Sequence, residues 1–186
     1  MKPLLKQPLS TLCFSLIFIL SACNQPSKLS NKSQDHFFNT LESLCGQRFE
    51  GIMTFPTKGQ DSFAGKQLVA QFEKCSSEQV RIPFSVGEDT SRTWIITKHD
   101  NSLELKHDHR HEDGTPHEVN LYGGLTQDNG SALSQSFFAD AHTAQQIPEA
   151  VSNVWTISFN TDKTELRYHL ERHQKARFTA VLTLVK

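Results

Sequence analysis

Leu103, Leu105, His107, His109 and His111 alternate with Glu104, Lys106, Asp108, Arg110 and Glu112. A period of two becomes two distinct faces only on an extended strand. The charged set reads as the solvent face, so the three histidines continue an apolar face toward the interior or the rim of a sheet. The same period recurs elsewhere. Val80, Ile82, Phe84 and Val86 alternate with Arg81, Pro83 and Ser85, and Leu166, Tyr168 and Leu170 alternate with Glu165, Arg167, His169 and Glu171.

Turn residues divide the chain into ten such segments. They are Arg48 to Phe55, Gln67 to Lys74, Gln79 to Val86, Arg92 to Lys98, Ser102 to His111, His117 to Tyr122, Ser131 to Phe138, Ser152 to Phe159, Glu165 to Arg172 and Arg177 to Val185. Between them stand Pro56 with Gly59, Gly87-Glu88-Asp89, Asp100-Asn101, Asp113-Gly114, Gly123-Gly124, Asp128-Asn129-Gly130 and Thr161-Asp162-Lys163. One helix precedes them, over Asp35 to Cys45. Phe37, Phe38, Leu41, Leu44 and Cys45 share a helical stripe, Asp35 suits the cap, and Gly46 suits the position past the end. A short helix followed by about ten short strands without parallel crossovers predicts an all-β fold. An antiparallel up-and-down barrel is the first expectation and a β-sandwich the alternative.

The first 22 residues read as a lipoprotein signal peptide. Lys2 and Lys6 supply the positive start, and Leu9 to Leu20 is an apolar run short for a bilayer span. Leu20-Ser21-Ala22-Cys23 has the form of a bacterial lipobox, which would leave Cys23 acylated with palmitate-like chains. An ordinary secretory signal with a chance cysteine is the alternative. Acyl chains contribute about 0.8 kcal/mol per buried CH₂, so two or three would hold the protein on a membrane. Asn24 rather than Asp after the cysteine favours the outer membrane, at its periplasmic face. Residues 23–34 form a polar tether and residues 35–186 a single domain.

Removing Lys2 and Lys6 takes the 19 basic residues to 17 against 20 acidic, a formal charge of −3 that offers no footprint for nucleic acid. Cys13 leaves with the signal, so the folded part keeps Cys45 and Cys75. In an oxidising periplasm these predict a disulfide, with a buried free pair as the alternative.

The chemistry concentrates on the histidine strand. Positions two apart on a strand are separated by about 6.5 Å and positions four apart by about 13 Å, so one ion cannot join His107 to His111 directly. Pro116 pushes the turn to Glu112 to Pro116 and sets His111 opposite His117, making His109, His111 and His117 a candidate trio for Zn²⁺ or Cu²⁺. The plainer reading is a set of imidazoles lining a polar mouth. Arg92 shares its face with Trp94 and Ile96, so it points inward with Trp94 or holds its head in water at the strand entrance. No Gly-x-Ser-x-Gly elbow, phosphate loop or dinucleotide fingerprint occurs, which leans away from an enzyme. Glu112 and Asp113 beside the histidines could assist acid-base chemistry, although Asp-Gly serves a turn for backbone reasons alone.

Gly87-Glu88-Asp89-Thr90-Ser91-Arg92-Thr93-Trp94, Leu105 through Gly114 and Tyr122-Gly123-Gly124, in that order after Leu44-Cys45-Gly46, resemble a family of uncharacterised secreted or lipoprotein-type proteins of Gram-negative bacteria. The resemblance carries no activity with it. A looser architectural likeness is to the calycins, the lipocalin and fatty-acid-binding barrels, in which a short helix precedes a barrel holding a small ligand. The lipocalin Gly-x-Trp signature is absent, since Ile52 and Met53 follow Gly51. The expectation is an anchored periplasmic barrel that binds a small ligand through Arg92, Trp94, His107, His109, His111, His117 and Tyr168. The alternatives are a metal carrier or metal-assisted hydrolase on the histidine hairpin, and an envelope adaptor for another protein.

Overall fold

The computed structural model describes residues 32–55, 62–127 and 130–186. The signal segment, Cys23 and the tether up to residue 31 lie outside the described residues, as do Pro56 and Gly59 of the first turn and Asp128-Asn129.

The alternating segments become strands β1 (Arg48–Phe55), β2 (Leu68–Gln71), β3 (Lys74–Cys75), β4 (Gln79–Val86), β5 (Asp89–Lys98), β6 (Leu103–His109), β7 (Tyr122–Thr126), β8 (Ser134–Ala139), β9 (Asn153–Phe159), β10 (Glu165–Arg172) and β11 (Lys175–Leu184). All pairings are antiparallel, each strand lies beside its sequence neighbour, and β11 returns to β1. The ring closes where β2 and then β3 run along β4, pairing Leu68 with Val86 and Cys75 with Val80. The two-residue β3 is thus a continuation of β2, and ten strands form a closed up-and-down barrel rather than a sandwich. Closure removes the exposed edges that an open sheet would present.

Helix α1 (Lys32–Ser43) starts one turn earlier than its apolar stripe suggests. Asp35 is therefore inside the first turn, where it pairs with Lys98 at 2.8 Å instead of capping. Gly46 ends the helical segment at φ 85°, a conformation that costs a side-chain-bearing residue dearly. The buried face, Phe37, Phe38, Leu41 and Leu44, lies against Phe49, Phe72 and Phe159 of the barrel, with the Phe37 and Phe159 rings 6.2 Å apart. The β7–β8 and β9–β10 hairpins at this end touch the helix. Gln34 donates to Thr126 Oγ1, Thr40 to the Ala132 carbonyl, and Lys163 to Ser43. The Cys45–Cys75 disulfide ties the helix end to β3. This end of the barrel is closed.

The opposite end is irregular. The segment expected as a strand over His117 to Tyr122 is an excursion instead, and β7 begins only at Tyr122. Gly123 and Gly124, which resemble turn residues, lie inside that strand because a Cβ on either would strike the carbonyl oxygen of Leu105 or Phe138. A short helix α2 (Ala141–Gln146), capped by Asp140 accepting from the Thr143 N–H, and a 3₁₀ turn at Pro148–Ala150 connect β8 to β9. Neither is foreseen in the sequence, which offers a single helix ahead of the strands.

A candidate ligand site at the open end of the barrel

Strand register sorts the inward side chains into levels. Leu105 faces Ile96 and belongs to the apolar core, His107 faces Trp94 one level higher, and His109 faces Arg92 at the rim. On the other side, Trp155 faces Leu170, and Asn153 faces Arg172 at the rim. The alternation that builds the core thus also places polar groups around the mouth. Between them is a cavity of about 280 Å³, at the small end of ligand pockets, which start from roughly 300 Å³. Its floor is made by Trp94, His107, Trp155 and Tyr168.

The floor is ordered by stacking across the lumen. Trp94 lies between Phe84 and Tyr168, with both centroid separations 4.4 Å. His107 stacks on Tyr122 at 4.7 Å and 10°. Burial, above all, pushes the His107 imidazole down to about 3, so it is neutral at ordinary pH and carries a single N–H. Its Nδ1 is 3.1 Å from the Tyr122 carbonyl, which can only accept, so Nδ1 bears the proton. Nε2 therefore accepts from the Tyr168 hydroxyl at 2.6 Å. Burial drives the Tyr168 hydroxyl well above its usual range, so it keeps the proton that this bond needs.

At the rim, burial first and the positive charge of Arg92 second hold His109 down at about 4. Its Nε2 meets the Tyr122 hydroxyl at 3.0 Å. Burial raises that hydroxyl to about 12 although Arg92 pulls the other way. Arg92 lies 5.5 Å from the centre of the Phe63 ring and pairs with Asp89 at 2.5 Å. Burial would raise the Asp89 carboxyl, but hydrogen bonds from Ser91 and Arg92 hold it well below the carboxylate range. Arg172 donates from Nε to Asn153 Oδ1 at 2.8 Å.

Of the residues singled out from sequence, Arg92, Trp94, His107, His109 and Tyr168 line this cavity, while His111 and His117 do not. β6 ends at His109, and His111 is exposed. The hairpin register differs from the expected one by two residues. Arg110 bridges to Pro116, and His117 N–H donates to the His109 carbonyl, so His111 does not sit opposite His117 along the ladder. Their rings nevertheless stack at 4.1 Å. His109 and His117 are 6.0 Å apart, and among the described residues no three His, Cys, Asp or Glu side chains are placed to hold a metal ion. The expected trio does not converge because His109 is turned to Tyr122.

The outer face of β6 also departs from expectation. Asp108 is buried, not wet. The excursion after β6 covers it, Arg81 and Arg110 donate to Oδ2, and Asn120 donates to Oδ1. Asn120 is the clamp for that excursion, since its own Oδ1 also accepts from His109 N–H at 2.7 Å. Leu121 beside it holds φ 52°, a strained value that lets Tyr122 enter β7 with its ring directed inward.

The lining residues not singled out include Trp155, Tyr122, Phe178 and Arg172. Trp155 and Arg172 were legible in principle, as inward positions of their strands' alternation. Tyr122 was hidden by the displaced start of β7. Comparison of the chain with protein-family models, with curated proteins and with solved structures finds no match in any of the three, so the chemistry of the site has to be read from its own geometry.

Proposed function

We propose that this protein is a membrane-anchored periplasmic lipoprotein whose barrel binds a small ligand at its open end. The observation that carries the binding half is the cavity itself. The opposite end of the same barrel is filled by apolar side chains, whereas here an aromatic floor and a polar rim surround open space, the composition expected of a ligand pocket. The calycin-like architecture is compatible with this use, although a fold alone does not assign one.

The anchoring half rests on sequence: the apolar run, Leu20-Ser21-Ala22-Cys23, and Asn24 as the signal for the outer membrane. The Cys45–Cys75 bond supports an oxidising compartment.

Two measurements test the halves separately. Intact-mass analysis of the membrane fraction should show a chain beginning at Cys23 with added acyl mass, and Cys23→Ala should abolish it; an unacylated mature chain overturns the anchor. Native mass spectrometry of the purified full-length protein should show a co-purifying small molecule or uptake of an added one, with quenching of the floor tryptophans. A protein that takes up nothing from a broad panel of metabolites would instead favour the adaptor reading.

A further inference from the structure

The rim and the floor together restrict the chemistry of the ligand. Two of the residues lining the cavity are arginines and none is an acid. Arg92 already has a carboxylate, Asp89, which stands outside the lining. Arg172 has only a neutral amide, Asn153 Oδ1, as its polar partner among the described residues. A guanidinium at the mouth of a low-dielectric cavity, with donors unused by carboxylate, is matched by an anion that can take two parallel N–H bonds. The imidazoles do not compete, being neutral, and the tyrosine hydroxyls keep their protons. Below the rim the side chains are flat. The faces of Trp94 are taken by Phe84 and Tyr168 and one face of His107 by Tyr122, so these rings turn edges toward the cavity, against which the face of a planar body makes edge-to-face contact.

We propose that the cavity binds a small planar organic carboxylate, its acid group held at the rim by Arg172 with Arg92 beside it, and its ring resting on the Trp94 and Trp155 floor. This inference rests on the ligand-binding reading above and adds the class of ligand. Asp89 and Asn153 then act as stand-ins: they occupy the arginines when the acid is absent and orient them for it.

The test uses 2-naphthoate, its uncharged isostere 2-naphthamide, and octanoate as a flexible acid, titrated into the purified full-length protein against a protein-free blank in the same buffer and detergent. Calorimetry and tryptophan quenching report binding. The expected result is 2-naphthoate bound about tenfold to a hundredfold more tightly than 2-naphthamide, with octanoate weaker than 2-naphthoate. Arg172→Gln should erase the preference for the acid, and Arg172→Lys should restore part of it, which separates lost charge from lost folding. Equal binding of naphthoate and naphthamide leaves the pocket standing and overturns the anionic class. Octanoate binding more tightly than naphthoate overturns the planar body. No binding of any of the three at millimolar concentration overturns this inference, whereas the broader binding reading would still be decided by the metabolite panel.

Discussion

At the closed end of the barrel, Phe37, Phe38, Phe49 and Phe72 are fully buried against one another and need no polar partner. At the open end, Trp94, His107, Trp155 and Tyr168 are nearly as buried, yet the polar pair there is hydrogen-bonded: His107 Nε2 accepts from Tyr168 and Nδ1 donates to the Tyr122 carbonyl. The two ends use the same strands, the same alternation and the same ring. They differ in what continues the alternation as the strand leaves the core: a helix supplies apolar cover at one end, while arginine, histidine and asparagine border space at the other. Burial by packing and burial by hydrogen bonding should respond differently to mutation.

The sharpest contrast is expected at the closed end, where Phe49→Ala should lower unfolding free energy by about 3–5 kcal/mol, because the ring sits among Phe72 and Phe159 without room to collapse. Urea denaturation measures it; a loss below about 1 kcal/mol would mean this end is not the tighter one. Replacing Cys45 and Cys75 together by Ser should cost about 3–4 kcal/mol on the chain-entropy account for the 30-residue separation. That loss should appear in the closed end first, as faster hydrogen exchange in α1 than in β9 and β10.

At the open end, Tyr168→Phe leaves His107 Nε2 without its donor and should cost about 1–3 kcal/mol, with the shape of the floor preserved. A pH series probes the same pair. His107 titrates near 3 when folded against 6.5 in the free side chain, so above pH 6.5 neither state is charged and stability is full. As the pH falls from 6.5 toward 3 the unfolded chain takes up a proton that the folded one refuses, and stability drops by about 1.4 kcal/mol per pH unit from this group. His109 adds in the same direction between 6.5 and about 4. A His107→Gln variant should show a shallower fall than the wild type over that window; equal slopes would show that His107 is not held neutral by burial. The smallest effect is expected for Arg92→Gln. Its pair with Asp89 is half-exposed and screened, so the change in stability should stay within about 1 kcal/mol, even as the rim loses a charge.

Legibility followed the same division. Where alternation ran between apolar positions and turns, as in Arg48 to Phe55, Gln79 to Val86 and Glu165 to Arg172, the strand limits were readable to the residue; the helix was legible from its apolar stripe, and the expected Cys45–Cys75 disulfide is present. Reading failed where tertiary demand overrode local chemistry. Gly123 and Gly124 look like a turn but serve a close strand crossing, and Asp108 looks wet but is covered by a segment that has no period of its own. Arg92, Trp94, His107, His109 and Tyr168 were recoverable because they continue core faces. The placement of His111 and His117 depended on hairpin register, which differs by two residues from the one Pro116 suggests, and no periodicity announces that.

The seating of α1 bears on traffic to and from the pocket. The chain reaches the barrel through this helix, and the helix is fastened to the end farthest from the mouth. From Cys23 to Lys32 an extended chain reaches at most ~30 Å. An anchor at Cys23 would therefore attach the protein at the closed end of the barrel, on the side away from its opening. With the base toward the lipid, solutes would be exchanged with the aqueous phase rather than drawn from the bilayer.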